Sequence, residues 1–423
     1  MIDIYSLLNE NKEINDWKVY SEVTESYELF FVHKKLETVR ATDTENVTVT
    51  VYADRDGKRG HASFKIFAST TENEAREKIA AAAEKASFIS NEFYTLPGDE
   101  KFEGKIPSNF EEYSKEELAE KISRAVFSSD MLSHGSLNAL EVFINKHKIS
   151  VKNSLGIDKT ETKYSAMLEA IPTWNEGESV ELYEASHFNS LDEEKIKKEI
   201  ENKMREVRDR GRATKPSESL SCPVLLPALE LSSLFYSLVS GLNYANVYAH
   251  HNPYSEGDAI QKAPKNDKIN VTLKGVIDGV VLSALFDEDG TTLVDTEVIR
   301  DGVAVGYFGG NRFAQYLGKA PTGNLSCMEV KTGTLTEKEL SSRPYFECVS
   351  MSGLQVDVYN DYIGGEVRLA YYFDGEKKIP LTGISVSGKL SDALNSVKLS
   401  EKCENTGRYS GPEYALFEGI TIV

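Results

Sequence analysis

Twice in the first half of the chain, a series of strand-like runs ends in a helix that opens on a marked cap. The first series holds Tyr27–Val32, Leu36–Arg40 and the alternating run Val47–Tyr52, and Asp54–Lys58 turns it into His61–Phe67. Thr71 and Glu74 then stand at capping-box spacing before an alanine-rich helix to about Ala86. The second series holds Leu140–Ile144 and Lys148–Lys152, the turn Asn153–Gly156, then Thr162–Ala170 and Ser179–Ala185. Ser190 and Glu193 repeat the cap spacing before a charged helix to about Arg210. Strands with one apolar face must bury that face under another layer, and a following helix supplies it. The first half is therefore read as two related β-rich units, each closed by a helix.

Between them, Leu96–Ser108 is rich in Pro, Gly and charge and reads as a connector. A helix near Ser114–Ser128 follows, with Ser114 and Glu117 as its capping box. After Thr214-Lys215-Pro216 comes a short strand, Cys222–Leu226, with Pro227 suited to the first turn of a helix. Leu231, Leu234, Phe235 and Leu238 put one apolar stripe on that helix. Ile269–Leu273, Val280–Leu285, Val303–Gly309 and Val367–Phe373 are strand-like beyond it. The expected fold class is α+β: a first unit at 1–96, a linker at 97–113, a second unit at 114–215 and a β-rich C-terminal domain at 216–423.

Charge narrows the partners. The chain has 48 Lys and Arg against 67 Asp and Glu, a formal charge of −19. Affinity for nucleic acid comes from neutralising phosphates, so a nucleic-acid partner is not expected. The densest basic run, Lys203–Lys215, is interrupted by Glu206 and Asp209 and reads as a solvated helix face. Met1–Asn15 has no apolar signal-type stretch, and no window is long and apolar enough for a membrane span. Cys222, Cys327, Cys348 and Cys403 have no paired spacing and are expected as reduced, packed thiols. Together these point to a cytoplasmic chain with no membrane partner.

Familiar catalytic strings are missing. No H-E-x-x-H or H-E-x-x-x-H occurs around His33, His61, His134, His147, His187, His250 or His251. The adjacent pair His250-His251 has diverging side chains and suits a loop or edge better than joint ligation. There is no G-x-S-x-G elbow, Walker A string or Rossmann fingerprint. Two segments stand out instead. In Leu285–Gly290, Asp287, Glu288 and Asp289 repel one another, so they either stay solvated or meet a donor, a cation or a partner. In Gly318–Asn324, Thr322-Gly323-Asn324 combines positive-φ freedom with two polar side chains, so it is a plain turn or a loop presenting backbone groups to a peptide.

The order of repeated N-terminal units, strand-to-helix segment, Phe286-Asp287-Glu288-Asp289-Gly290 and Thr322-Gly323-Asn324 resembles the TldD/PmbA family, long labelled modulators of DNA gyrase. In that family the TldD branch carries H-E-x-x-x-H, binds zinc and cuts peptides, while the TldE/PmbA branch lacks the motif and pairs with TldD. The corresponding stretch here is Leu229-Glu230-Leu231-Ser232-Ser233-Leu234, with leucine at both histidine positions. The resemblance thus implies a non-catalytic subunit without a cofactor of its own, zinc being expected only in a partner subunit. It implies a TldD-like zinc subunit or a self-dimer as partner, and an extended peptide or unfolded protein as substrate. Asp287, Asp289, Thr322, Gly323 and Asn324 are the expected structural or substrate-facing residues. A stand-alone homodimeric peptide-binding or scaffold protein is the alternative. A third possibility is an enzyme using Glu230 with His250 or His251.

Overall fold

The computed structural model describes residues 2–177 and 179–423. It is an α+β structure. Both N-terminal strand series enter one sheet, because β1 (Asp16–Val32) pairs on one side with β2 (Lys35–Arg55) and on the other with β6 (Gly135–Asn153), antiparallel in each case. β3 (Lys58–Ile66) and β4 (Asn91–Glu92) continue the sheet beyond β2. At the far side, β7 (Asp158–Trp174) follows β6 and carries three short strands in succession along its outer edge. These are the parallel β5 (Lys101–Lys105), and the antiparallel β8 (Val180–Glu181) and β9 (Glu184–Phe188). β5 lies inside the stretch expected as a linker.

The strands are far longer than their apolar runs. Tyr27–Val32 and Leu140–Ile144 are segments of strands that continue through polar stretches such as Glu22–Ser26 and Asn145–Lys148. Those middles are mostly half-buried on both faces, so they lack the alternation that marks a strand with one buried face, and ladder bonds between β1 and β6 hold them.

Four helices accompany the sheet: α1 (Ile4–Glu10), α2 (Glu72–Ser87), α3 (Lys115–Ser128) and α4 (Glu193–Arg212). Two of the three expected capping boxes form, at Thr71/Glu74 and Ser114/Glu117. α2 covers Val19, Val49 and Val51 through Ala75, Ile79 and Ala82, while α3 and α4 cover Leu140, Val142 and Leu168. Replacing Ser114 by alanine leaves the Glu117 amide without its acceptor, and a urea midpoint should record a loss of about 1 kcal/mol. The cap of α4 differs from expectation. Asp192, not Ser190, accepts from the Lys195 amide at 2.9 Å. The basic run of α4 is only partly solvated: Lys203 pairs with Glu184 and Glu206, and Asp209 accepts from the Tyr371 hydroxyl at 2.8 Å.

The C-terminal half holds a nine-stranded and a six-stranded sheet. In the larger, β10 (Val224–Pro227) lies between Tyr345–Met351, parallel to it, and Tyr414–Phe417, antiparallel. Pro227 is the cap residue and α5 (Ala228–Ser240) starts one residue later. Leu231, Leu234, Phe235 and Leu238 of α5 join one apolar core with residues of both sheets, among them Val271, Met328, Phe346 and Tyr409. Two expected strands do not form as read. Val280–Leu285 is a looped segment, closed locally by the Ser283 hydroxyl, which donates to the Ile277 carbonyl and accepts from its amide, both at 3.0 Å. Only Val303–Ala304 of Val303–Gly309 is a strand. No described helix is long and apolar enough to cross a membrane.

Candidate functional site

On α5, Leu229 faces outward at 64% exposure, while Leu234 is fully buried. Glu230 between them is buried; burial pushes its carboxyl above the usual range, and a hydrogen bond from the Leu354 backbone offsets part of that rise. Its surroundings include the fully buried Cys348. His250 closes the short α6 (Tyr244–Tyr248) with φ 57°, and both His250 and His251 are exposed. Cys327 and Cys348 are packed thiols, Cys222 is half-buried, and Cys403 is exposed on the outermost strand of the six-stranded sheet, contrary to the expectation of burial.

The structure joins the two segments singled out in the sequence. Asp287 is 7% exposed and accepts three backbone N–H groups: Asp289 and Thr291 at 3.0 Å on Oδ1, and Asn324 at 3.1 Å on Oδ2. Burial, and secondly the nearby Asp289 charge, push its carboxyl up to about 6 despite those donors. The acidic turn therefore meets its donor in the Thr-Gly-Asn loop. Asp289 forms an ion pair with Lys18 of β1. Gly323 has φ 74°, and a Cβ there would come within 2.4 Å of the Leu293 side chain, so the position admits only glycine without movement.

The same loop supports α7 (Asn311–Tyr316). The Thr322 hydroxyl accepts from the Gly309 amide at 2.9 Å, and the Asn324 side chain from Gly310 at 3.0 Å, just before that helix. α7 in turn docks on the N-terminal half. Asn311 and Gln315 donate to the Thr95 carbonyl at 2.7 and 2.8 Å, and Arg312 donates to Asn91 at 2.8 Å. Asp287, Asp289, Thr322, Gly323 and Asn324 thus form one brace between the halves of the molecule.

Beside that brace lies a cleft of about 320 Å³, between β5, β7 and the loops at 275–276 and 284–295. Sequence reasoning missed its floor. Lys159 of β7 is 1% exposed, and its Nζ donates to Glu100 Oε2 and Thr292 Oγ1, both at 2.6 Å. This contact holds the Glu100 carboxyl below the usual range. Two residues along, the buried Glu161 accepts from the Leu285 amide at 2.7 Å, and burial pushes its carboxyl up. The partners of Lys159 lie 59 and 133 residues away, and Lys159 and Glu161 precede the strand expected at Thr162–Ala170, so no local signal marks them.

Residues 219–423 match the PmbA/TldA metallopeptidase C-terminal domain. Over these residues the chain carries a C-terminal domain of the PmbA/TldD type. Three solved structures share the fold over nearly the full length, each at 15% identity. TldE from Thermococcus kodakarensis has a TM-score of 0.80 with 97% of each chain covered. A protein from Thermotoga maritima described as a modulator of a DNA gyrase has 0.78, covering 99% of this chain and 98% of its own. Another so described, from Bacteroides thetaiotaomicron, has 0.76, covering 99% and 97%. No curated protein matches the sequence.

The name metallopeptidase implies a metal, and the residues of α5 do not fit one. Leu229 and Leu234 carry no donor atom, one faces solvent and the other the core, and Glu230 is engaged by backbone. Among the described residues, no three His, Cys, Asp or Glu side chains gather as a PmbA/TldD zinc site would require.

Proposed function

We propose that this chain is the non-catalytic, TldE/PmbA-like subunit of a TldD/TldE-type metallopeptidase, a cytoplasmic protein that helps hold an extended peptide for a zinc-bearing partner. The observation that carries this reading is the build of α5. Where the resemblance puts a catalytic branch's histidines, this helix has a solvent-facing leucine and a core leucine around a buried carboxyl. A carboxylate without a metal lacks the agent that lowers the pKa of water, so Glu230 serves here as a packed hydrogen-bond acceptor. The brace through Asp287 and Asn324 supports the reading, because it fixes the halves against each other without any cofactor.

The test is co-expression with the homologue from the same genome that carries H-E-x-x-x-H. The expected result is a complex holding about one zinc per pair, with peptidase activity that needs both chains, while this chain alone holds well under one equivalent. Tight stoichiometric zinc on the pure chain, or chelator-sensitive cleavage by it, overturns the proposal. A stable self-dimer that ignores the zinc-bearing homologue favours the second reading, a stand-alone homodimeric peptide-binding protein.

A further inference from the structure

The cleft at the seam has a direction. Its floor is Lys159 on β7, at 1% exposure, and Phe286, at 5%. Its rim is Phe102 on β5, at 42%, and Val276, at 36%. β5 is the outermost strand at this point of the sheet, so the cleft opens toward the sheet's edge. That edge is unfilled: β5 pairs with β7 on one side, and among the described residues nothing pairs with its other side. Lys101, Phe102, Glu103 and Lys105 are all exposed. A free edge presents N–H and C=O groups at strand pitch, ready for one more strand.

The chemistry of the floor sets what enters. The Lys159 ammonium is matched by Glu100, and the Thr292 hydroxyl also donates to Glu100 at 3.0 Å. A charge already paired with a carboxylate offers little to a second ion. Most of the remaining wall is apolar, with Phe102, Val276, Leu285 and Leu293, and the one further carboxylate, Asp295, accepts from the Gly275 amide at 3.1 Å. The volume lies at the low end of the range for ligand sites, ~300–1,000 Å³, which suits one bulky side chain rather than a large cofactor.

We infer that an extended peptide adds as a strand to the free edge of β5 and places one uncharged, bulky apolar side chain in the cleft between Phe102 and Val276. The inference rests on the peptide-holding reading and gives it a location and a side-chain preference. Backbone pairing would give tolerance of sequence, and the cleft would read one position.

The experiment uses the whole chain and fluorescence anisotropy of a labelled seven-residue peptide of alternating threonine and valine with a central phenylalanine. Two companions carry a central aspartate, or N-methyl groups on alternate backbone amides. The first peptide should bind about tenfold or more tightly than either companion, since burying one such side chain is worth ~1.5–3 kcal/mol. Phe102→Asp and Val276→Trp, both at exposed positions, should abolish that preference while leaving the urea midpoint in place. Equal binding of the phenylalanine and aspartate peptides, or wild-type preference in both variants, overturns the cleft assignment and leaves the peptide-holding reading standing. If none of the three peptides binds, the cleft and the peptide-holding reading fall together.

Discussion

Replacing Arg59 by alanine should lower the stability of the N-terminal sheet by about 3–5 kcal/mol, the cost typical of breaking a buried ion pair from one side. Arg59 is 2% exposed and lies on β3. Its Nε and Nη2 donate to Asp54 at 2.7 and 2.8 Å, and Nη2 also donates to Asp16 at 2.6 Å. One guanidinium thus ties together the start of β1, the end of β2 and the start of β3. Its flat face lies over Phe93 at 4.6 Å and near Tyr52 and Tyr94. Alanine removes all of this and leaves two largely buried carboxylates without their cation. Lysine keeps the charge but not the fork, so Arg59→Lys should recover only part of the loss. The two tryptophans, Trp17 on β1 and Trp174 on β7, both report on this sheet, so urea unfolding followed by tryptophan fluorescence reads it directly. A loss below about 1 kcal/mol in Arg59→Ala would show that the cluster is ornamental.

Local signals in the sequence were reliable where the physics is local. The capping boxes at Thr71 and Ser114 need only three residues to close, and both stand as expected. The apolar stripe of α5 also follows from spacing alone, and its four residues are all buried. Strand length was illegible for a different reason. The polar middles of β1, β2 and β6 are held by partners well outside any short window, Glu45 opposite Val23 within the first hairpin and Glu22 opposite Ile149 more than a hundred residues away. Nothing within a short window encodes such pairing. Val280–Leu285 shows the opposite error: an apolar run looked like a strand because the hydroxyl of Ser283 could not be seen folding back on Ile277.

The candidate site was legible in part. Three adjacent carboxylates at 287–289 announced that some donor or cation had to be near, and the structure supplies the Asn324 amide and Lys18. That the donor belongs to the other singled-out segment could not be read from either one. Lys159 was invisible, since a lysine in an alternating strand normally points to water. Only the meeting of β7 with Glu100 and Thr292 puts it on the floor of a cleft.

The brace makes the second large prediction. Asp287→Ala should cost about 3–5 kcal/mol, because it strips the acceptor from three backbone amides, one of them fully buried, at ~1–3 kcal/mol for each that finds no water. Asp287→Asn separates shape from charge. The carboxyl has been pushed from an ordinary 3.8 to about 6 in the folded chain, so the folded state binds the proton more tightly than the unfolded state. Its favourable contribution is therefore fully present below about pH 3.8 and is lost as pH rises through about 6. That difference amounts to ~3 kcal/mol, and asparagine does not titrate. Subtracting the urea-derived stability of Asp287→Asn from that of the wild type, pH by pH, should give a curve that falls by about that amount between pH 4 and 6.5. A flat difference curve would mean that Asp287 titrates like a solvated carboxylate, and that the link between the acidic turn and the Thr-Gly-Asn loop is not formed as the structure has it. Because Asn324 also holds the Gly310 amide at the head of α7, a confirmed loss in Asp287→Ala should be accompanied by faster amide exchange in α7 than in α5, which the brace does not touch.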